Sequence, residues 1–447
     1  MRRITNRVWI LLALTLAFLA GLVILAAGFA QNGARWATNR ANAHIYARGA
    51  IARAGRILDV NGVVLAETKN GRRVLHTDPV VRRATLHAVG DPQGFVSTGA
   101  HAAFRGRLTG YNRVTGLHQL VQNGEGNDVQ LTISADVTRA AHRALNGRSG
   151  TVGVYNYKTG DVLCMVSLPN YDPMNKPRNI ENNPAYEAVY LNRMLHGLYT
   201  PGSTFKVITA ACALEHMPNI QSREFRCEGR FGTGDGWVIC REKHGRLGFE
   251  KAMNVSCNSV FAQIAIEAGQ KNLQASAEKM GFNQVFRAEK IPLAISRFQS
   301  SAMSNLELGW TGVGQHTTLA NPAQMMILMG AIANDGRGIA PRLLAHNRLI
   351  SSQTALKLDP AIASSLKDIM RSNVTKSFDT SGRRTPGIAM AGKTGTAEVD
   401  GKRPHAWFVG FALDMPYAIV VVGENAGGGL AVAFEIAVKV MNAIPKK

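Results

Sequence analysis

Charge is thin in this chain of 447 residues: only 18% are Asp, Glu, Lys or Arg, against about a quarter in ordinary soluble domains. With 46% hydrophobic residues, that excludes a mainly disordered chain, which stays open only when charge is high and apolar content low. Acidic residues are the scarcer sign, 30 against 51 basic, leaving a net charge of +21. An excess of this kind suits nucleic acid, an anionic membrane surface or an acidic wall polymer. Aromatics are few (7%) and not interleaved with basic residues, and lysines and arginines do not run beyond a pair or so. Nucleic acid is therefore the weakest of the three. Glycine (45) and proline (16) are too sparse and irregular for a collagen-like or low-complexity chain. The length suits two to three domains with a substantial core.

One long apolar run is present. Residues 8–30 hold no charge over 23 positions, enough to span a hydrocarbon core of roughly 30 Å as a helix. A cleaved signal usually has an apolar stretch of about 7–15 residues, so the length favours a retained anchor. Arg2, Arg3 and Arg7 precede it and place residues 1–7 in the cytoplasm by the positive-inside bias. Everything after residue 30 is then expected outside the cytoplasm.

Residues 31–127 read as a membrane-proximal linker and a small, loop-rich, β-containing module. Asn61-Gly62 marks a hairpin, and repeated glycines from 90 to 126 break the rest. The pattern changes near 128. A short helix is expected at 136–145, then strands at 151–155 and 162–167 around the turn Lys158-Thr159-Gly160. Three more strands are expected at 391–398, 407–412 and 417–423, turning at Asp400-Gly401 and Asp414-Met415-Pro416. Between the two groups, residues 185–385 are mostly helical in spacing, and 430–444 form a closing amphipathic helix. The expected class is α/β in the loose sense, or α+β: a five-stranded antiparallel sheet flanked by helices, with a helical lobe inserted.

A Ser-x-x-Lys pair puts a hydroxyl and an amine on one helix face, but occurs three times, at 203–206, 276–279 and 364–367. Only Ser203 follows Pro201-Gly202 and opens an apolar run, which places it at the N-terminus of a buried helix. Burial would give Lys206 a lowered pKa and the capacity to act as a base. The other two pairs lie in polar helices and are read as ordinary surface chemistry. Lys-Thr-Gly occurs twice: 158–160 is turn chemistry, whereas Lys393-Thr394-Gly395 reads as a strand, where a glycine permits close approach of a ligand backbone. Ser256-Cys257-Asn258 is the single Ser-x-Asn, a pattern that alone is more often a cap or turn.

The order of these elements is more specific than any member. Ser203-x-x-Lys206, Ser256-x-Asn258 53 residues on, and Lys393-Thr394-Gly395 137 further resemble the motif series of active-site serine penicillin-recognising enzymes. The approach Asn192-Arg193 to Phe205, the stretch Gly160-Asp161 to Pro173, Gly314-Gln315 with Asn321-Pro322, and His405 to Gly410 are similar to class B penicillin-binding proteins. The likeness spans roughly 128–447, the expected transpeptidase domain. With no glycosyltransferase-sized region before it, a bifunctional enzyme is not expected.

The resemblance implies a peptidoglycan D,D-transpeptidase that cross-links stem peptides and is acylated by β-lactams. It implies Ser203 as nucleophile, Lys206 as its base, Ser256 as a proton relay and Lys393 as a local positive charge. Asn258 would bind the substrate amide, Thr394, Gly395 and Thr396 the terminal carboxylate end, and the Ser203 and Thr396 N–H groups the oxyanion. No cofactor is implied. The expected partners are the stem peptides, β-lactams and the membrane, with cell-wall synthesis or division proteins as further candidates. A D,D-carboxypeptidase on the same fold is the alternative; a β-lactamase lacks an evident deacylating base, and a β-lactam sensor would need more spans and a cytoplasmic domain.

His244, His316 and His405 read as packing or hydrogen-bonding residues, and Trp407 as packing beside its strand. The five cysteines are odd in number. Cys164 and Cys212 sit in apolar runs as buried thiols, while Cys227 and Cys240 flank a glycine-rich hairpin and could be bridged. A zinc site of Cys227, Cys240, His244 and Cys257 lacks standard ligand spacing, so no metal is expected.

Overall fold

The computed structural model describes residues 2–37, 39, 46–47, 50–51, 54–112, 126–345, 352–380, 384–385 and 387–445. Much of the proposed linker, residues 38, 40–45 and 48–49, lies outside them. Helix α1 (Arg2–Ala37) runs unbroken, and its segment Thr5–Gly33 is long and apolar enough to cross a membrane. At about 1.5 Å per residue that segment is longer than a hydrocarbon core of roughly 30 Å. It extends past the expected 8–30 at both ends, because the polar residues beyond the apolar run still favour helix.

A four-stranded sheet follows: β1 (Ile57–Leu58), β2 (Val64–Lys69), β3 (Arg72–Leu75) and β4 (Val129–Gln130), in the order β3-β2-β1-β4. The Asn61-Gly62 turn is held by the buried Asp59, whose Oδ1 accepts from the N–H groups of Asn61 (2.8 Å) and Val63 (2.9 Å). Gly62 has φ +84°, which favours glycine. Short helices at Pro79–Ala84, Leu86–Val89, Ala100–Ala103 and Arg105–Leu108 fill the module. At four to six residues they are too short for a helical period to register, so they stand where loop is expected. The expected break at 127/128 cuts through this interlock, since β4 lies beyond it yet pairs in parallel with β1.

The second sheet comprises β5 (Gly150–Asn156), β6 (Val162–Leu168), β7 (Met390–Val399), β8 (Lys402–Ala412) and β9 (Tyr417–Gly423), in the antiparallel order β7-β8-β9-β5-β6. That is the expected sheet, with β8 starting five residues earlier. Residue alternation splits it into two faces. Val152, Val154, Val166, Phe408, Ile419 and Val421 pack with helices α2 (Ala135–Leu145) and, at the C-terminus, Glu435–Asn442. Tyr155, Met165, Trp407, Val409 and Val420 face the lobe, where Pro322–Ala333 is buried along its whole length. A sheet covered on both faces carries near-continuous apolar strands, as these do.

The lobe is less helical than expected. It contains four small antiparallel pairs: Glu224–Cys227 with Gly245–Gly248, Arg230–Gly232 with Trp237–Ile239, Arg287–Ala288 with Ile291–Pro292, and Arg337–Ile339 with Gln353–Lys357. The C-terminal segment opens as a π-helix at Leu430–Phe434 before the α-helix begins.

Candidate active site

The lobe and the edge strand β7 meet at a cleft of about 1340 Å³, lined by Ser203, Ser256, Asn258, Thr394 and Thr396 among others. Ser203 sits on the one-turn helix Gly202–Thr204, directly before α3 (Lys206–His216). Gly202 has φ +53°, and a Cβ there would lie 2.8 Å from the Thr396 carbonyl. From the other side, a Cβ on Gly395 would lie 2.8 Å from the Pro201 carbonyl. The two glycines let the serine turn press against β7. The close approach expected at Gly395 is therefore real, but its partner is the protein's own Pro201–Thr204 turn. Thr396 Oγ1 accepts from the N–H of Gly429 at 3.2 Å.

Lys206 and Lys393 are both fully buried. Lys206 Nζ donates to the Ser256 carbonyl (2.6 Å) and to Asn258 Oδ1 (2.7 Å), and lies 3.2 Å from Ser256 Oγ. Lys393 Nζ lies 3.0 Å from the same Ser256 Oγ and donates to the Thr394 carbonyl at 3.1 Å. One hydroxyl thus stands between two amines. Burial lowers Lys206 to about 7. Burial and then repulsion by Lys206 push Lys393 well below the ordinary lysine range. A neutral amine has two N–H donors and one lone pair. On Lys206 the two carbonyl acceptors use both donors, leaving the lone pair for a hydroxyl. Ser256 itself has φ +55°, a left-handed conformation uncommon for a serine and of the strained kind found at functional sites.

Ser203, Lys206, Ser256, Asn258, Lys393, Thr394, Gly395 and Thr396 are thus brought together at one cleft edge from three separate segments. The decoys are not. Ser364 is exposed; Ser276 is buried, while its partner Lys279 points out to Glu215. Lys158 of the first Lys-Thr-Gly binds Asn334 Oδ1 at 2.7 Å, tying a hairpin turn to the lobe.

The penicillin binding protein transpeptidase domain model matches residues 150–442. This chain belongs to that family. Among relatives of the family, peptidoglycan D,D-transpeptidase PbpA of Mycolicibacterium smegmatis is 29% identical over 68% of this chain and 69% of its own. The D,D-transpeptidase domain of a peptidoglycan glycosyltransferase from Eggerthella lenta superposes with a TM-score of 0.75 at 27% identity, covering 88% of this chain and 98% of that one. The imipenem acyl-enzyme complex of penicillin-binding protein A from M. tuberculosis gives 0.77 at 25% identity, covering 88% and 98%.

Parts of this transpeptidase site were not assigned from sequence. Trp407 is the centre of β8 rather than its start, and its indole N–H donates to the Thr200 carbonyl. Gly429 ends the run Gly427-Gly428-Gly429, which could have flagged a close backbone approach. His405 Nδ1 accepts from the Asn425 N–H at 3.0 Å, the hydrogen-bonding role expected, and His316 Nε2 lies 3.5 Å from Glu307. Cys164 and Cys212 are buried free thiols, as expected. Cys227 and Cys240 are also free, so the possible bridge is not formed. Both face His244 instead, and together with Cys257 they form a group that could hold a metal ion.

Proposed function

We propose that this protein is a membrane-anchored peptidoglycan D,D-transpeptidase acting through a Ser203 acyl-enzyme. The observation that carries this reading is Ser256 Oγ standing 3.2 Å from Lys206 Nζ and 3.0 Å from Lys393 Nζ, in the cleft that Ser203 also lines. Family membership and the names of its relatives support the same chemistry.

In this mechanism Ser203 Oγ attacks the carbonyl of the penultimate D-Ala of a stem peptide. The lone pair of neutral Lys206 takes the hydroxyl proton as the bond forms. The Ser203 and Thr396 N–H groups stabilise the oxyanion, supported by the contact of their segments at Gly202. Ser256 passes a proton from Lys206 to the leaving D-Ala amine, and Lys393 donates to the same hydroxyl and holds it in line. It does so rather than supplying the positive charge expected, because burial and Lys206 disfavour its protonated form. Asn258 binds the substrate amide, and Thr394 and Thr396 the terminal carboxylate. The amine of a second stem peptide then attacks the acyl-enzyme. β-Lactams enter at the first step. Incubating the detergent-solubilised chain with a stem pentapeptide and an amine acceptor tests this by product mass. A cross-linked product is expected; trimming to tetrapeptide with none would establish the carboxypeptidase instead.

The orientation follows from Arg2, Arg3 and Arg7 ahead of the apolar run of α1, a basic flank held on the cytoplasmic side. Protease added outside intact spheroplasts should digest all but the extreme N-terminus. Protection of the transpeptidase domain would reverse it.

A further inference from the structure

Behind the Ser256–Asn258 corner, four side chains from separate elements converge. Cys227 ends a strand that pairs with Gly245–Gly248, and its register partner Gly245 brings the adjacent His244 beside it. Cys240 follows the strand Trp237–Ile239, and Cys257 is the N-cap residue of the helix Asn258–Ala268. The ligand atoms of all four lie within 4.8 Å of one another. In sequence the set reads Cys-x12-Cys-x3-His-x12-Cys. No common finger or ribbon has that spacing, because here a pair of hairpins, rather than one local loop, supplies the ligands.

The distances match a tetrahedral centre. Metal–sulfur bonds of about 2.3 Å and metal–nitrogen bonds of about 2.0–2.1 Å at tetrahedral angles require S···S near 3.8 Å and S···N near 3.6 Å. Cys240 Sγ lies 3.8 Å from Cys257 Sγ, and His244 Nδ1 lies 3.5 Å from both Cys227 Sγ and Cys240 Sγ. A disulfide would need about 2.05 Å. The surroundings suit thiolates: the Asn258 N–H points at Cys240 Sγ (3.3 Å), and the Ser259 hydroxyl lies 3.4 Å from Cys227 Sγ.

We propose that Cys227, Cys240, His244 and Cys257 bind one zinc-class divalent cation in a closed site that braces the Ser256–Asn258 corner. Three sulfurs and an imidazole select zinc over magnesium or calcium, which take oxygen. Four protein ligands leave no open position, so the ion is structural. On binding, each of the three thiols releases its proton to solvent and forms one sulfur–metal bond. His244 contributes the Nδ1 lone pair and carries its proton on Nε2; nothing is oxidised or reduced. The consequence for the cleft is direct, because Cys257 is the middle residue of Ser256-Cys257-Asn258. The ion anchors that residue from behind while Ser256, at φ +55°, turns its hydroxyl to the two lysines.

The test uses the full chain in detergent micelles, equilibrated with zinc and passed through a desalting column. Elemental analysis should find one zinc per chain, and cobalt substitution should give thiolate charge-transfer and tetrahedral visible bands. Cys227→Ser and His244→Ala should weaken zinc binding at least about tenfold. Cys212→Ser, at a buried thiol outside the group, should leave it unchanged. A wild-type chain that retains no zinc and gives no cobalt–thiolate band overturns the site, as does a native disulfide within the group; neither readout depends on the variants folding or on acyl transfer. Stripping the wild type should slow penicillin acylation about tenfold, with recovery on adding zinc. Acylation at the full rate without metal overturns the bracing role.

Discussion

Trp407 donates its indole N–H to the Thr200 carbonyl at 3.0 Å, joining the middle of β8 to the turn that carries Ser203. Trp407 is fully buried and Thr200 half-buried, so the bond ties the core to the margin of the cleft. Trp407→Phe removes the bond and part of the packing while keeping an aromatic ring. A lost neutral hydrogen bond is worth roughly 0.5–1.5 kcal/mol. We expect Tm to fall by a few degrees and penicillin acylation to slow several-fold, because the turn loses its register on β7. Unchanged acylation in a destabilised variant would show that the bond serves the fold alone.

Substitutions at Ser203 and Lys206 separate base from bystander. Arginine keeps the charge but cannot give up its proton in a protein. A fluorescent penicillin should label the wild type on Ser203, and Ser203→Ala should not label. Lys206→Arg should lose labelling at least as severely as Lys206→Ala. Ser276→Ala and Ser364→Ala should label normally. Near-normal labelling of Lys206→Arg would remove the lysine from the role of base, and an adduct on another serine would remove Ser203 as nucleophile.

The buried amine makes both rate and stability depend on pH, with the same sign. Lys206 is lowered to about 7 by burial, so acylation should rise as pH climbs through that value and the lone pair becomes free. For stability, the folded pKa lies below the unfolded value of 10.5. Below about 7 the amine is charged in both states, and the folded state bears the full cost of burying it. Between about 7 and 10.5 the unfolded chain holds a proton that the folded chain has lost, so stability rises with pH across that window. Lys206→Met should flatten this part of the curve in denaturant titrations. A rate that stays level from about pH 6 to about pH 8 would place the operative pKa elsewhere.

Much of this molecule was legible because its signals are local. Strands β5 and β6 and strands β7 to β9 announce themselves as short apolar runs bounded by turn residues such as Asp400-Gly401, and the pairing within each group follows from adjacency. The helix after Ser203 is a continuous apolar run, so its lysine stood out. What stayed hidden depends on tertiary approach. Cys227, Cys240, His244 and Cys257 can be named as a set, but their spacing over 31 positions argues against a site, because they meet only through hairpin register. Trp407 looked like a strand residue because its acceptor, Thr200, lies 207 positions away. The short helices after residue 78 span about one turn each, too little for periodicity to show.

The pairing of β9 with β5 sets Tyr417 opposite Asn156 and Gly423 opposite Gly150, closing the sheet across a sequence separation of 261 in the first case. A chain made from its N-terminus therefore exposes Ser203 and Lys206 long before Lys393 and the strands that seat it exist. Contacts this distant in sequence form late and slowly. An unfinished chain carries the serine without the second lysine or the sheet behind it. The serine and its first lysine are thus made well before the strands that complete their site.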